Sequence, residues 1–181
     1  ENFDNFQGGM IICNHYTSLD GVVMGALLMK DELNVVAKQE AFEKKLGGWY
    51  LKKVGCIPVN RGEADIQAMK SIMNILKDEN RKLLIFPEGT RNDGEELTML
   101  PFHEGSFKIA TKTGCAIIPV SINNSVDLFE NHVPRLKPAH VIIEYGKPIY
   151  PKDLDKETAK HIGKYVQDII QETIALLKRL K

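Results

Sequence analysis

Neither sign of charge is in surplus in this sequence, where 24 lysines and arginines meet 24 aspartates and glutamates. The basic footprint of a nucleic-acid binder is missing, so no nucleic-acid partner is expected. An anionic ligand would have to be met by individual arginines, not by an overall field. Cysteine is scarce too: Cys13, Cys56 and Cys115 are scattered, odd in number and never in a Cys-x-x-Cys pair. That leaves no disulfide framework to read, and each is expected to be a small buried hydrophobe in a reducing compartment. No apolar run is long enough to cross a bilayer; the longest nearly apolar stretch, from Gly21 to Met29, falls far short of the roughly 20 residues required. No signal peptide, internal repeat or low-complexity linker is expected from the sequence. Beginning at Glu1 instead of methionine, it is expected to follow an upstream segment.

What is present is a regular alternation. At 181 residues the chain is long enough for one domain with a real core, expected to span residues 1–181. Apolar runs of strand length recur at Met10–Cys13, Val35–Ala37, Cys56–Val59, Leu83–Phe86, Ala116–Ile122 and Val141–Tyr145. Helical spacing lies between them: Ile66, Met69, Ile72, Met73 and Leu76 share one helix face, and Ile162, Val166, Ile169, Ile170, Thr173, Leu176 and Leu180 line a closing helix over 156–178. The alternation predicts an α/β fold, with a mixed, largely parallel central sheet flanked by helices. The intervals between strands suit crossover helices better than hairpins. Residues 92–96 read as a polar turn, and 123–138 as an irregular insertion.

Two short segments carry the chemistry. Asn14-His15-Tyr16-Thr17-Ser18-Leu19-Asp20 follows the first apolar run directly. If that run is a buried strand, His15 emerges at its carboxyl end, where open α/β sheets build their sites. Asp20 then falls near the start of the next helix. Across the intervening turn its carboxylate can fold back onto one ring nitrogen of His15, fixing the tautomer and leaving the other nitrogen as a base. This is the His–Asp half of a catalytic triad without its serine, which suggests that the hydroxyl of a substrate attacks. Taken alone, the pair reads more readily as a strand-end histidine and a helix-capping aspartate. A metal site lacks a third ligand at suitable spacing.

The second segment, Phe86-Pro87-Glu88-Gly89-Thr90-Arg91, also follows an apolar run. Pro87 ends the strand because it offers no N–H, and Gly89 permits a tight turn. Glu88 can accept from a polyol hydroxyl, while Arg91 can clamp a phosphate bidentately. The plainer alternative is a surface Glu–Arg ion pair.

With these residues in place the chain resembles the glycerolipid acyltransferase family, of the 1-acyl-sn-glycerol-3-phosphate acyltransferase (lysophosphatidic acid acyltransferase) type. The NHxxxxD motif is matched by Asn14, His15 and Asp20, and FPEGTR by Phe86 to Arg91. A G-x-[IV]-x-[IV]-x-R segment stands at Gly55-Cys56-Ile57-Pro58-Val59-Asn60-Arg61, and a strand with a proline at Ile117-Ile118-Pro119-Val120. Glu1-Asn2-Phe3 resembles the tripeptide that follows the membrane-associated N-terminal helices of such enzymes, helices expected to lie outside this chain. The resemblance implies a glycerol-3-phosphate acyltransferase-like fold and a place at the cytoplasmic face of a membrane. It implies an acyl-CoA or acyl-carrier-protein donor, a lysophospholipid acceptor and no cofactor. It also implies roles: His15 as general base, Asp20 as its orienter, Glu88 and Gly89 at the glycerol, Arg61 and Arg91 on the phosphate. Thr90 would support the turn, and Pro119 would shape the floor of the donor side.

The chain departs from the family pattern in places. Thr17 and Ser18 share the position where a single serine is usual, Asn60 replaces an aspartate before Arg61, and His103 replaces a lysine that would add a phosphate contact. Residues 42–53 mix lysines with Trp49 and Tyr50. They read either as an interfacial segment or as an amphipathic helix that uses Trp49 as core. His132, His140 and His161 are expected at the surface or in packing. Three rival readings stand beside the transfer reaction: another acceptor, a non-catalytic lipid-binding domain, and a hydrolase that gives the thioester to water.

Overall fold

The computed structural model describes residues 8–28, 32–43, 45–60, 66–78, 80–93 and 98–179. Six strands form one sheet: β1 Gly9–Cys13, β2 Glu32–Lys38, β3 Ile57–Val59, β4 Arg81–Ile85, β5 Ile117–Asn123 and β6 Ile142–Tyr145. Their order across the sheet is β3-β2-β4-β1-β5-β6. The first five run parallel, and β6 pairs antiparallel with β5. The helices are α1 Asp20–Leu27, α2 Lys45–Lys53, α3 Ile66–Ile75, α4 Gly105–Thr113, α5 Lys156–Lys160 and α6 Ile162–Arg179. The expected mixed, largely parallel α/β sheet is therefore what forms, as crossover connections between parallel strands demand.

Alternation along β1 sorts the core into two layers. Met10 and Ile12 face a cluster that includes Ile72 of α3, Phe107 and Ile109 of α4, and Val166 and Ile170 of α6. Ile11 and Cys13 face the other way, onto Met24 of α1 and Leu28 just beyond it. Central strands buried on both faces read as continuous apolar runs, and β1 and β5 are buried at every position. Each such aliphatic side chain contributes about 1.5–3 kcal/mol.

Three details differ from the sequence reading. Strand β2 extends to Glu32 and Lys38, beyond its apolar centre, because the partly buried strand pairs along both edges. The closing helix breaks at His161 into α5 and α6. Asp155 caps α5, its side chain accepting the Glu157 and Thr158 amides at 3.0 Å each. Trp49 is not core: it is 63% exposed, with the Lys53 ammonium 5.6 Å from its ring centroid. Among the described residues no helix is long and apolar enough to cross a membrane.

Candidate active site

Strands β4, β1 and β5 lie side by side, so the loops leaving their carboxyl ends converge. The register Ile12↔Ile85 sets the two motif loops off together, and they meet a few residues later. The His15 amide donates to Glu88 Oε1 at 2.8 Å. Leu100 N–H donates to Glu88 Oε2 at 2.8 Å, and Asn92 N–H to the His15 carbonyl at 2.8 Å. On the other side, Asn14 imitates a strand residue past the end of β1. Its side chain donates to the Ile122 carbonyl and accepts the Ile122 amide, each at 2.8 Å.

His15 and Asp20 meet as their spacing allows. The ring Nδ1 lies 2.9 Å from Asp20 Oδ2, with His15 19% exposed and Asp20 sealed from solvent. The same oxygen accepts the Tyr16 amide at 2.7 Å and the Thr17 amide at 2.9 Å. Asp20 opens α1, but Leu19 holds the capping position; the aspartate turns back onto the loop instead of capping the helix. Its other oxygen, Oδ1, is buried without a hydrogen-bond partner among the described residues. The imidazole stacks on Phe86, with centroids 4.2 Å apart and planes inclined by 22°. With Nδ1 committed, Nε2 is the nitrogen left for a ligand.

The second motif loop turns tightly. The Gly89 amide returns to the Phe86 carbonyl at 3.0 Å, and Gly89 has φ of 72°, a region costly for residues with a Cβ. Glu88 is buried. Burial raises its pKa above the usual carboxylate value, and the Leu100 and His15 amides offset part of the rise. Here the carboxylate holds the two loops together. Replacing Glu88 with alanine strands two amides at about 1–3 kcal/mol each when buried. Denaturant unfolding is therefore expected to show a loss of about 2–6 kcal/mol, accompanied by a fall in any activity that uses His15.

Arg91 does not pair with Glu88. Its guanidinium lies 3.3 Å from Glu130 Oε1, with Arg91 46% and Glu130 23% exposed. Glu130 also accepts the Ser18 amide at 2.8 Å, the Ser18 hydroxyl at 3.0 Å and the Thr17 hydroxyl. Partial burial pushes the Glu130 carboxyl up, but the hydrogen bonds from Thr17 and Ser18 outweigh it and hold the group below the usual range. Glu130 opens the short 3₁₀ turn Glu130–His132, inside the segment read from sequence as an irregular insertion.

Thr90 is exposed beside the turn. Arg61 and the Glu1-Asn2-Phe3 tripeptide lie outside the described residues, as does most of the expected 92–96 turn. Pro119 is buried in β5, where its carbonyl accepts the Gly146 amide at 2.8 Å. It lines neither of the two cavities beside the site. One cavity, about 430 Å³, opens beside Pro87, Gly89 and His103 and runs in among Ile72, Ile85 and Ile109. The other, also about 430 Å³, starts at Ser18 and Gly21 and runs between α1, β2 and α2 to Leu51 and Cys56. The three cysteines are unpaired, and burial pushes the Cys56 thiol up to about 11, making it a poor nucleophile. Among the described residues no three His, Cys, Asp or Glu side chains cluster as metal ligands.

A parallel α/β sheet with a His–Asp pair at its carboxyl edge defines the frame, and comparison with known proteins names it. The family described as Acyltransferase matches residues 1–123; the chain belongs to the acyltransferase family. It is 28% identical over 173 residues to the 1-acyl-sn-glycerol-3-phosphate acyltransferase of Saccharomyces cerevisiae, covering 94% of this chain and 56% of that protein. To the protein of the same name from Helicobacter pylori it is 29% identical, covering 93% of this chain and 75% of that one. Against the yeast and coconut relatives the chain spans about half of their length. The crystal structure of the 1-acyl-sn-glycerophosphate (LPA) acyltransferase PlsC from Thermotoga maritima shares the fold, with a TM-score of 0.74 at 24% identity. That likeness covers 98% of this chain and 69% of the other.

Proposed function

We propose that the chain moves a fatty acyl group from acyl-CoA or acyl-carrier protein to the sn-2 hydroxyl of 1-acyl-sn-glycerol-3-phosphate. The product would be phosphatidic acid, for phospholipid synthesis. The observation that carries this reading is the His15–Asp20 contact of 2.9 Å, with one apolar cavity lined by Phe86, on which the imidazole stacks, and another that starts at Ser18 and Gly21 of the same loop and helix. His15 makes no other side-chain hydrogen bond among the described residues. The Thr17 and Ser18 hydroxyls beside it are already bonded to Glu130.

In this reading His15 Nε2 takes the proton of the acceptor hydroxyl as its oxygen attacks the thioester carbonyl carbon. Asp20 holds the tautomer and stabilises the imidazolium that forms. The tetrahedral intermediate collapses by breaking the C–S bond, and the imidazolium returns its proton to the departing thiolate. Ester and thiol leave, the histidine is restored, and the steps call for no cofactor. Arg91, with Arg61, would clamp the acceptor phosphate. The two cavities suit a reaction that brings two lipid chains to one glycerol. Exposed Trp49 among the lysines of α2 suits contact with an anionic membrane surface, which we place on the cytoplasmic side.

The reading is tested by thiol release from long-chain acyl-CoA and from acyl-carrier-protein thioesters in mixed micelles. Release should rise with lysophosphatidate and saturate. Arg91→Ala should raise the KM for lysophosphatidate about tenfold or more, as loss of one charge-assisted clamp predicts, while kcat changes much less. Release indifferent to any acceptor would identify a hydrolase. Equal use of a lysolipid without a free phosphate would overturn the acceptor assignment.

A further inference from the structure

Glu130 sits 112 residues from Ser18 in sequence, and neither motif includes it. Yet its carboxylate gathers the Ser18 amide, the Ser18 and Thr17 hydroxyls and the Arg91 guanidinium. The loop from His15 to Asp20 is thus gripped by two carboxylates. Asp20 takes the amides of Tyr16 and Thr17 from within, and Glu130 takes those of the next residue and its hydroxyl from outside. Of the Glu130 contacts, the Arg91 pair and both Ser18 bonds are exposed, and a half-exposed ion pair is screened and contributes little. The part-buried bond from the buried Thr17 hydroxyl carries the most weight, with the two Ser18 bonds beside it.

From this we infer that Glu130 is a positioning residue for the catalytic loop. It fixes Thr17 and Ser18, so that His15 and Asp20 keep their contact while the acceptor enters. The inference rests on the acyl-transfer reading for its kinetic consequence but not for its structural one. A misplacement of about 1 Å at a reacting group costs about 10²-fold in rate, so a loosened loop should act on turnover and not on affinity.

The test compares Glu130→Ala and Glu130→Gln with wild type, using long-chain acyl-CoA and 1-acyl-sn-glycerol-3-phosphate, well below the melting temperature of each protein. Glu130→Ala should lower kcat about 10- to 100-fold, with acceptor KM changed less than about threefold. Glu130→Gln keeps an acceptor oxygen for the Ser18 amide, and should recover kcat to within about fivefold of wild type. Hydrogen exchange should quicken at the Thr17–Ser18 amides in Glu130→Ala. An unchanged kcat, even with a lowered melting temperature, would reduce Glu130 to a structural residue. A lower acceptor KM at unchanged kcat would make the carboxylate a competitor for the phosphate. Unchanged exchange at Thr17–Ser18 would overturn the inference whatever the kinetics. A wild type silent with every donor and acceptor would instead sink the acyl-transfer reading and leave the exchange result to judge Glu130.

Discussion

His15→Ala is expected to lower kcat for acyl transfer by about 10²–10⁴-fold, the range that a positioned general base supplies. In the proposed reading the substitution removes the group that takes the acceptor proton through a free ring nitrogen. The fold should survive it, because His15 lies beyond the carboxyl end of β1, and the two contacts that anchor its backbone do not involve the ring. Its amide still reaches Glu88 and its carbonyl still receives the Asn92 amide. Lost stacking on Phe86 should cost about 0.5–1.5 kcal/mol, well within what denaturant unfolding resolves. Substrate affinity should change little, since the proposed role brings the ring to the reacting hydroxyl and not to the phosphate. Initial rates at saturating acceptor, read beside the unfolding curve, separate the chemical loss from a structural one.

Asp20→Asn is the second large effect, and it strikes both chemistry and stability. Oδ2 accepts three donors, namely the ring N–H and the Tyr16 and Thr17 amides. Oδ1 is buried without a partner among the described residues. If asparagine keeps its oxygen toward the three donors, its NH₂ is driven into that unpartnered position, at about 1–3 kcal/mol. If the amide turns over, NH₂ confronts two backbone N–H groups and forces the imidazole into the wrong tautomer. Neither orientation stabilises an imidazolium. Loss of kcat should therefore approach that of other His–carboxylate sites, on the order of 10³–10⁴-fold, together with a measurable drop in unfolding free energy. A variant with wild-type kcat would show that the pair has no part in the chemistry.

The sheet and the two motif loops could be read from the sequence because their signals are local. Apolar runs such as Met10–Cys13 and Leu83–Phe86 mark buried strands, and polar motifs placed directly after them must emerge at strand ends. Strand order is not local. That β4 lies against β1, so that Glu88 receives the His15 amide, follows from crossovers that periodicity does not encode. Glu130 was invisible for the same reason: it stands in an irregular segment with no motif around it, and its partners Thr17 and Ser18 are brought to it by the path from β5. Trp49 misleads in the other direction. An aromatic residue at helical spacing reads equally as core or surface, and only its neighbours decide. The turn of Asp20 back onto Tyr16 and Thr17 belongs to the same class, since a carboxylate at a helix start ordinarily serves as a cap.

The central claim is that His15 directs a thioester's acyl group to the hydroxyl of a lysophospholipid. It is tested most directly by product stoichiometry in wild type and His15→Ala, from labelled long-chain acyl-CoA and lysophosphatidate in mixed micelles. One phosphatidic acid should form for each thiol released by the wild type, and neither product should rise above background in the variant. Free fatty acid in place of phosphatidic acid, or equal phosphatidic acid from both proteins, would contradict it.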